Sequence, residues 1–314
     1  MTGGTRRSIL RRPAVPLLAA IAGLAIGVTI DVARGGGLET WLARRGMVFG
    51  YEARGTVVDI GGRGIYLDCR GAGEPTVILE GGFGSGASGW GATLDGIAAF
   101  TRVCAWDRPG IGRSAPRGLH SAADTAADLR AALNAAGERG PFVVVAHSFG
   151  GVYARVLSDG PVIDGEPDST SDGVLAFVMI DTYEPDIGVA DDLALPEDIR
   201  ASIAESLDET AAMLQAGESL DWVTLLKELR LGGPVEQQTL LLTVDPYLRY
   251  HDPDPARRDA MVAAWHRGIA ARYPNGDLEI VPNTGHMIHL ERPNLVIERV
   301  REVVLSMRSL ASPG

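Results

Sequence analysis

One pattern constrains this 314-residue chain more than any other: from Val57 onward, short β-branched runs alternate with helix-length segments. A chain patterned this way builds a mostly parallel sheet with helices on both faces, an α/β architecture. Eight runs read as strands: Thr56 to Ile60, Gly64 to Cys69, Thr76 to Glu80, Arg102 to Trp106, Phe142 to Ala146, Val174 to Ile180, Thr239 to Thr243 and Leu278 to Val281. The first two are joined by Gly61-Gly62-Arg63, a turn short enough for a hairpin, so the sheet begins antiparallel and continues parallel. Helical periodicity marks Ala122 to Ala136, Val262 to Arg272, and a C-terminal run in which Leu295, Val296, Val300, Val303, Val304 and Met307 share a face.

Two stretches interrupt the alternation. Asp159 to Gly173, rich in Gly, Pro, Ser and Asp, reads as a surface loop before the sixth strand. Between the sixth and seventh strands, an insertion at about 184–238 has the size of a small helical cap. It carries two amphipathic helices, one with Ile199, Ile203 and Leu207, the other with Trp222, Leu225, Leu226 and Leu229. With 46% hydrophobic and 22% charged residues, the chain has material for one large core, and residues 37–314 are read as a single domain with that cap.

Residues 1–36 are different. Arg6, Arg7, Arg11 and Arg12 precede an uncharged run from Pro13 to Ile30, the order of a basic region followed by an apolar one. Thr5-Arg6-Arg7-Ser8-Ile9-Leu10-Arg11 resembles a twin-arginine export signal. The arginines keep the N-terminus in the cytoplasm by the positive-inside rule. Whether the segment is a cleaved signal or a retained anchor, it contacts the membrane and puts the domain outside the cytoplasm. A net charge of −11 argues against nucleic acid as a partner, since like charges repel and no basic stripe follows the first dozen residues. The only cysteines, Cys69 and Cys104, lack the spacing of a zinc site, and no metal or other cofactor is called for.

The chemistry centres on Ala146-His147-Ser148-Phe149-Gly150-Gly151, directly after the fifth strand and before a helix-compatible segment. A serine at a sharp strand-to-helix turn has its hydroxyl pushed above the sheet, and small residues two before and two after it, here Ala146 and Gly150, avoid backbone clashes. The turn places the Phe149 amide at a helix N-terminus, where it can donate to a developing oxyanion; His147 reads as scaffold. A serine needs a base to take its proton. His286, in Asn283-Thr284-Gly285-His286 after the last strand, is that candidate, with His289 as a neighbour. The second oxyanion donor is expected after the third strand, in Glu80-Gly81-Gly82-Phe83-Gly84-Ser85: the Phe83 amide, or Gly82 one residue earlier.

The order of Gly81-Gly82-Phe83-Gly84, Trp106-Asp107-Arg108-Pro109-Gly110-Ile111-Gly112-Arg113-Ser114, the Ser148 elbow, and Gly285-His286 with Glu291-Arg292-Pro293 resembles the α/β-hydrolase superfamily over about Val57 to Arg308. The resemblance implies that the Asp107 to Ser114 segment is structural. It also implies a third catalytic residue, a carboxylate that orients the histidine. Most members carry it after the seventh strand, where Asp245 stands; some lipases carry it after the sixth, where Asp181 stands, and Asp181 is the reading favoured here. Cys69 and Cys104 fall on strands adjacent in the resembled fold. Export would permit a disulfide, but cross-strand geometry is demanding and free buried thiols are expected. The function implied is a serine hydrolase acting through Ser148, His286 and Asp181 on a small, hydrophobic ester or related acyl compound. An acyltransferase, peptidase or perhydrolase on the same residues, or a membrane-tethered binding protein without turnover, are the alternatives.

Overall fold

The computed structural model describes residues 51–158, 162–163, 166–167, 173–183, 197–198, 218–231, 234–246 and 254–311. The expected export segment lies outside the described residues, as do Ile199, Ile203 and Leu207 of the first cap helix. Among the described residues no helix is long and apolar enough to cross a membrane.

Eight strands form one sheet: β1 (Thr56–Asp59), β2 (Gly64–Arg70), β3 (Thr76–Glu80), β4 (Val103–Trp106), β5 (Phe142–His147), β6 (Val174–Ile180), β7 (Gln238–Thr243) and β8 (Gly276–Ile280). Their spatial order is β1-β2-β4-β3-β5-β6-β7-β8. The β1–β2 and β2–β4 pairs are antiparallel and every later pair is parallel. The helices whose bounds fall within the described residues are α1 (Gly91–Ala98), α2 (Ala122–Ala135), α3 (Gly150–Ser158), α4 (Trp222–Leu231), α5 (Pro255–Arg272), α6 (Ile288–Glu291) and α7 (Pro293–Ala311). α1 and α6 escape a periodicity reading because each spans about two turns or fewer, too short to display a repeating stripe.

Successive strand side chains point to opposite faces, and the core divides accordingly. Val77, Leu79, Val143, Val145, Val178 and Ile180 pack on one face with Trp90, Leu94 and Ile97 from the α1 region and Val296, Val300 and Val304 of α7. Ile78, Trp106, Val144, Phe177 and Met179 pack on the other with Leu129 of α2, Leu157 of α3 and Trp265 and Ile269 of α5. Local signals start the helices. Ser121 and Asp124 form a reciprocal capping box at α2. Asp254 caps α5 by accepting from the Ala256 amide at 2.9 Å, with Pro255 at the first helical position.

Two expectations are corrected. The stretch between α3 and β6 is not wholly irregular: Val162–Ile163 and Glu166–Pro167 form a two-residue antiparallel ladder. Cys69 and Cys104 are not free thiols but are joined by a disulfide. They are direct partners in the antiparallel β2–β4 register, which points their side chains toward the same face.

Candidate active site

Strand register builds the site. In the β5–β6 ladder His147 stands opposite Ile180, so the next residues, Ser148 and Asp181, leave the sheet at the same level. The Ser148 amide extends that ladder by donating to the Ile180 carbonyl at 3.0 Å, and the Asp181 amide donates to Leu242 of β7 at 2.6 Å. Both residues then turn with positive φ, 52° at Ser148 and 43° at Asp181, a conformation that costs energy for residues with a side chain and clusters at functional sites. The serine side chain is thereby lifted off the sheet edge. A Cβ at Gly150 would overlap the carbonyl oxygens of Glu80 and Gly81, so the close approach of α3 to the end of β3 requires glycine there.

His286 arrives on the loop after β8. The Gly285 amide donates to both carboxylate oxygens of Glu291 in α6, at 3.1 and 3.0 Å, folding the loop back. His286 Nε2 then lies 2.9 Å from Ser148 Oγ, and His286 Nδ1 lies 2.6 Å from Asp181 Oδ2. A carboxylate accepts, so Nδ1 carries the ring proton and Nε2 is left to accept from the serine hydroxyl. The other Asp181 oxygen accepts from Thr243 Oγ1 at 2.9 Å. Of the two candidate carboxylates, Asp181 meets the histidine; Asp245, beyond the end of β7, is exposed. A cavity of about 420 Å³ opens over the serine, walled by Tyr183, Val244, Thr284 and Gly285.

His147 is fully buried and its Nε2 donates to the His286 carbonyl at 3.0 Å, steadying the loop that carries the base. Its ring lies 4.7 Å from that of His286 and 4.3 Å from that of His289, which in turn lies 4.8 Å from Trp90. Burial, reinforced by the neighbouring histidines, holds His147 well below the usual imidazole range, and burial pushes His289 down to about 3. Both rings are neutral near pH 7.

Among the described residues neither the Phe83 nor the Phe149 amide has a hydrogen-bond partner, and the same is true of Gly82. Gly82 presses against the elbow: a Cβ there would stand 2.9 Å from His147 Nδ1 and 3.2 Å from Ser148 Cβ. Behind the glycine loop lies a buried charge network. Arg108 bonds Glu80 at 2.6 Å and Glu218 at 2.8 and 3.0 Å, and donates to the carbonyls of Gly81 and Gly82. Glu218 also accepts from the Gly84 amide and the Tyr153 hydroxyl. Burial opposes the Arg108 charge, but Glu218 and Glu80 outweigh it. Burial also opposes the Glu218 charge, yet Arg108 keeps this carboxyl below its ordinary range, whereas burial pushes Glu80 up to about 7. Asp107 is structural, accepting from the Ala87 and Arg113 amides at 2.8 and 2.9 Å. Arg108 signals its presence only as part of that same turn, and Glu218 has no sequence signal at all. Among the described residues the one cluster with metal-ligand reach is Cys69, Cys104 and Glu138, whose cysteines are already bonded to each other.

The profile of a family described as the alpha/beta hydrolase family matches residues 77–299. An uncharacterised protein of Schizosaccharomyces pombe is 49% identical over 63 residues, a match covering 20% of this chain and 12% of that protein. An uncharacterised protein of Bacillus subtilis, YqjL, is 22% identical over 249 residues, 78% of this chain and 89% of that one. Among solved structures, a serine hydrolase involved in carbazole degradation superposes with a TM-score of 0.51 at 18% identity, over 81% of this chain and 98% of that one. At that identity the likeness is one of fold.

Proposed function

The chain belongs to the alpha/beta hydrolase family, and from that premise we propose that it is a serine hydrolase that cleaves an ester or related acyl bond through a covalent acyl-enzyme. The observation that carries this reading is the continuous relay from Ser148 Oγ to His286 Nε2, 2.9 Å, and from His286 Nδ1 to Asp181, 2.6 Å. His286 takes the serine proton as Oγ attacks the acyl carbon, and Asp181 stabilises the imidazolium that forms. The Phe149 amide, at the N-terminus of α3, and the Phe83 amide stabilise the oxyanion, with Gly82 as the alternative donor in the same loop. His286 returns the proton to the leaving group, and water repeats the cycle on the acyl-enzyme. Among the described residues, Tyr183, Val244, Thr284 and Gly285 wall the cavity beside the relay, and the substrate class we propose for it is an uncharged, largely apolar acyl compound.

Hydrolysis of p-nitrophenyl esters of increasing acyl length tests the proposal. Wild type is expected to turn over and to react with a fluorophosphonate, while Ser148→Ala does neither. A wild-type protein inert to every ester and to the probe would remove the reading and leave a binding protein in its place. We further propose that the N-terminal segment exports or anchors this domain outside the cytoplasm; recovery of the full-length chain in the soluble cytoplasmic fraction would overturn that.

A further inference from the structure

The glycine loop after β3 must aim backbone amides at the oxyanion, yet glycines impose no conformation of their own. What holds it is the buried network on its far side. In a trans peptide the C=O and N–H point in opposite directions and share one plane, so a group that grips a carbonyl also aims the amide of the next residue. Arg108 Nη1 grips the Gly81 carbonyl at 2.7 Å, which sets the Gly82 N–H; Nη2 grips the Gly82 carbonyl at 2.6 Å, which sets the Phe83 N–H. The third peptide is held from its amide: Gly84 N–H donates to Glu218 Oε1 at 2.6 Å. Three successive peptide planes are thus held by two side chains, the second also by the Ser85 amide, which donates to the Gly82 carbonyl at 3.0 Å, and both candidate donors of this loop point away from Arg108.

Those two side chains come from distant parts of the chain and lock each other. Glu218 receives the Arg108 fork through both oxygens, the geometry in which arginine pairs with a carboxylate most strongly. Glu80, at the end of β3, and the Tyr153 ring, 4.8 Å from the guanidinium, complete the enclosure. Both Arg108 and Glu218 side chains are 2% exposed. Glu218 belongs to the insertion between β6 and β7, just before α4, and the same stretch lays Leu220 and Leu225 on Phe149 and Tyr153.

We propose that Glu218, delivered by the insertion between β6 and β7, and Arg108 are positioning residues for the oxyanion hole. The inference rests on the serine-hydrolase reading above. It places part of the catalytic power of Ser148 in a contact made 70 residues downstream.

The test uses the full chain with Glu218→Gln, which keeps shape and loses charge, and Arg108→Lys, which keeps a cation but not the fork. For each, ester kinetics, titration of active sites with a fluorophosphonate, and inhibition by an arylboronic acid are measured. The boronate bonds to the serine as a tetrahedral anion whose oxygen occupies the hole. The expected result is a fall in kcat of about 10- to 100-fold per titrated site, with KM within about 3-fold and boronate affinity weakened in step. A purely structural role would lower the number of titratable sites and leave kcat per site and boronate affinity unchanged, which would overturn the proposal. So would variants with wild-type kinetics. An inert, unlabelled wild type would bring down the underlying reading instead.

Discussion

Asp181 and His286 form the shortest hydrogen bond of the relay, and replacing the carboxylate by an amide changes its meaning more than its shape. Asparagine can offer Nδ1 a donor, which favours the wrong imidazole tautomer and leaves Nε2 protonated against the serine. Asp181→Asn is therefore expected to lower kcat by roughly 10³- to 10⁴-fold with the fold intact by circular dichroism. Asp245→Asn, at an exposed position, is expected to stay within about 2-fold of wild type. The opposite ranking would transfer the acid role to Asp245. His289 carries a different kind of consequence. Its folded pKa, about 3, lies below the unfolded value near 6.5, so below pH 6.5 the unfolded chain binds a proton that the native one refuses. Stability is thus lost as pH falls from 6.5 toward 3. Between pH 7.5 and 5.5 this one residue is expected to cost about 1.4 kcal/mol. Urea unfolding of wild type and His289→Gln at both pH values checks it: the variant's pH dependence is expected to be shallower by that amount, and parallel dependences would refute the assignment.

Among the elements, β2 and β4 are the pair whose join owes most to covalent chemistry. They sit on the antiparallel side of the sheet, separated from β5 by β3, and the disulfide between Cys69 and Cys104 closes a loop spanning 35 positions. A link over that span removes unfolded-state freedom worth about 3–4 kcal/mol. The double variant Cys69→Ala/Cys104→Ala is expected to lose stability of that order in urea while keeping its kcat, because no group of the relay lies on either strand. A loss of kcat in the folded variant would show that β2 and β4 bear on the site. At the opposite side of β5, β6 and β7 act as a pair of rulers: one ends one residue before Asp181, the other supplies Thr243 to hold the second oxygen of that carboxylate. Loops alone would leave that carboxylate more freedom than a 2.6 Å contact tolerates.

For the whole molecule, the division of labour follows from what is local along the chain and what is not. The alternation of β-branched runs and amphipathic helices determined the architecture, because a strand or helix face can be read from neighbours a few residues apart. Ser148 and His286 were equally legible: a strand-turn-helix with Ala146 and Gly150 around a serine, and a glycine-histidine pair after the last strand, are short-range patterns. Which carboxylate meets His286 was not, since Asp181 and Asp245 each follow an apolar run and only the register of β5, β6 and β7 brings one of them level with the serine. The cysteines illustrate the same limit, as pairing Cys69 with Cys104 depends on a one-residue register between strands 35 positions apart. Arg108 and Glu218 stand 110 residues apart, and neither carries a local mark of its partner. Sequence periodicity encodes which face of an element is buried; the tertiary structure decides which polar groups, once buried, find each other, because each one left unpaired there costs about 1–3 kcal/mol.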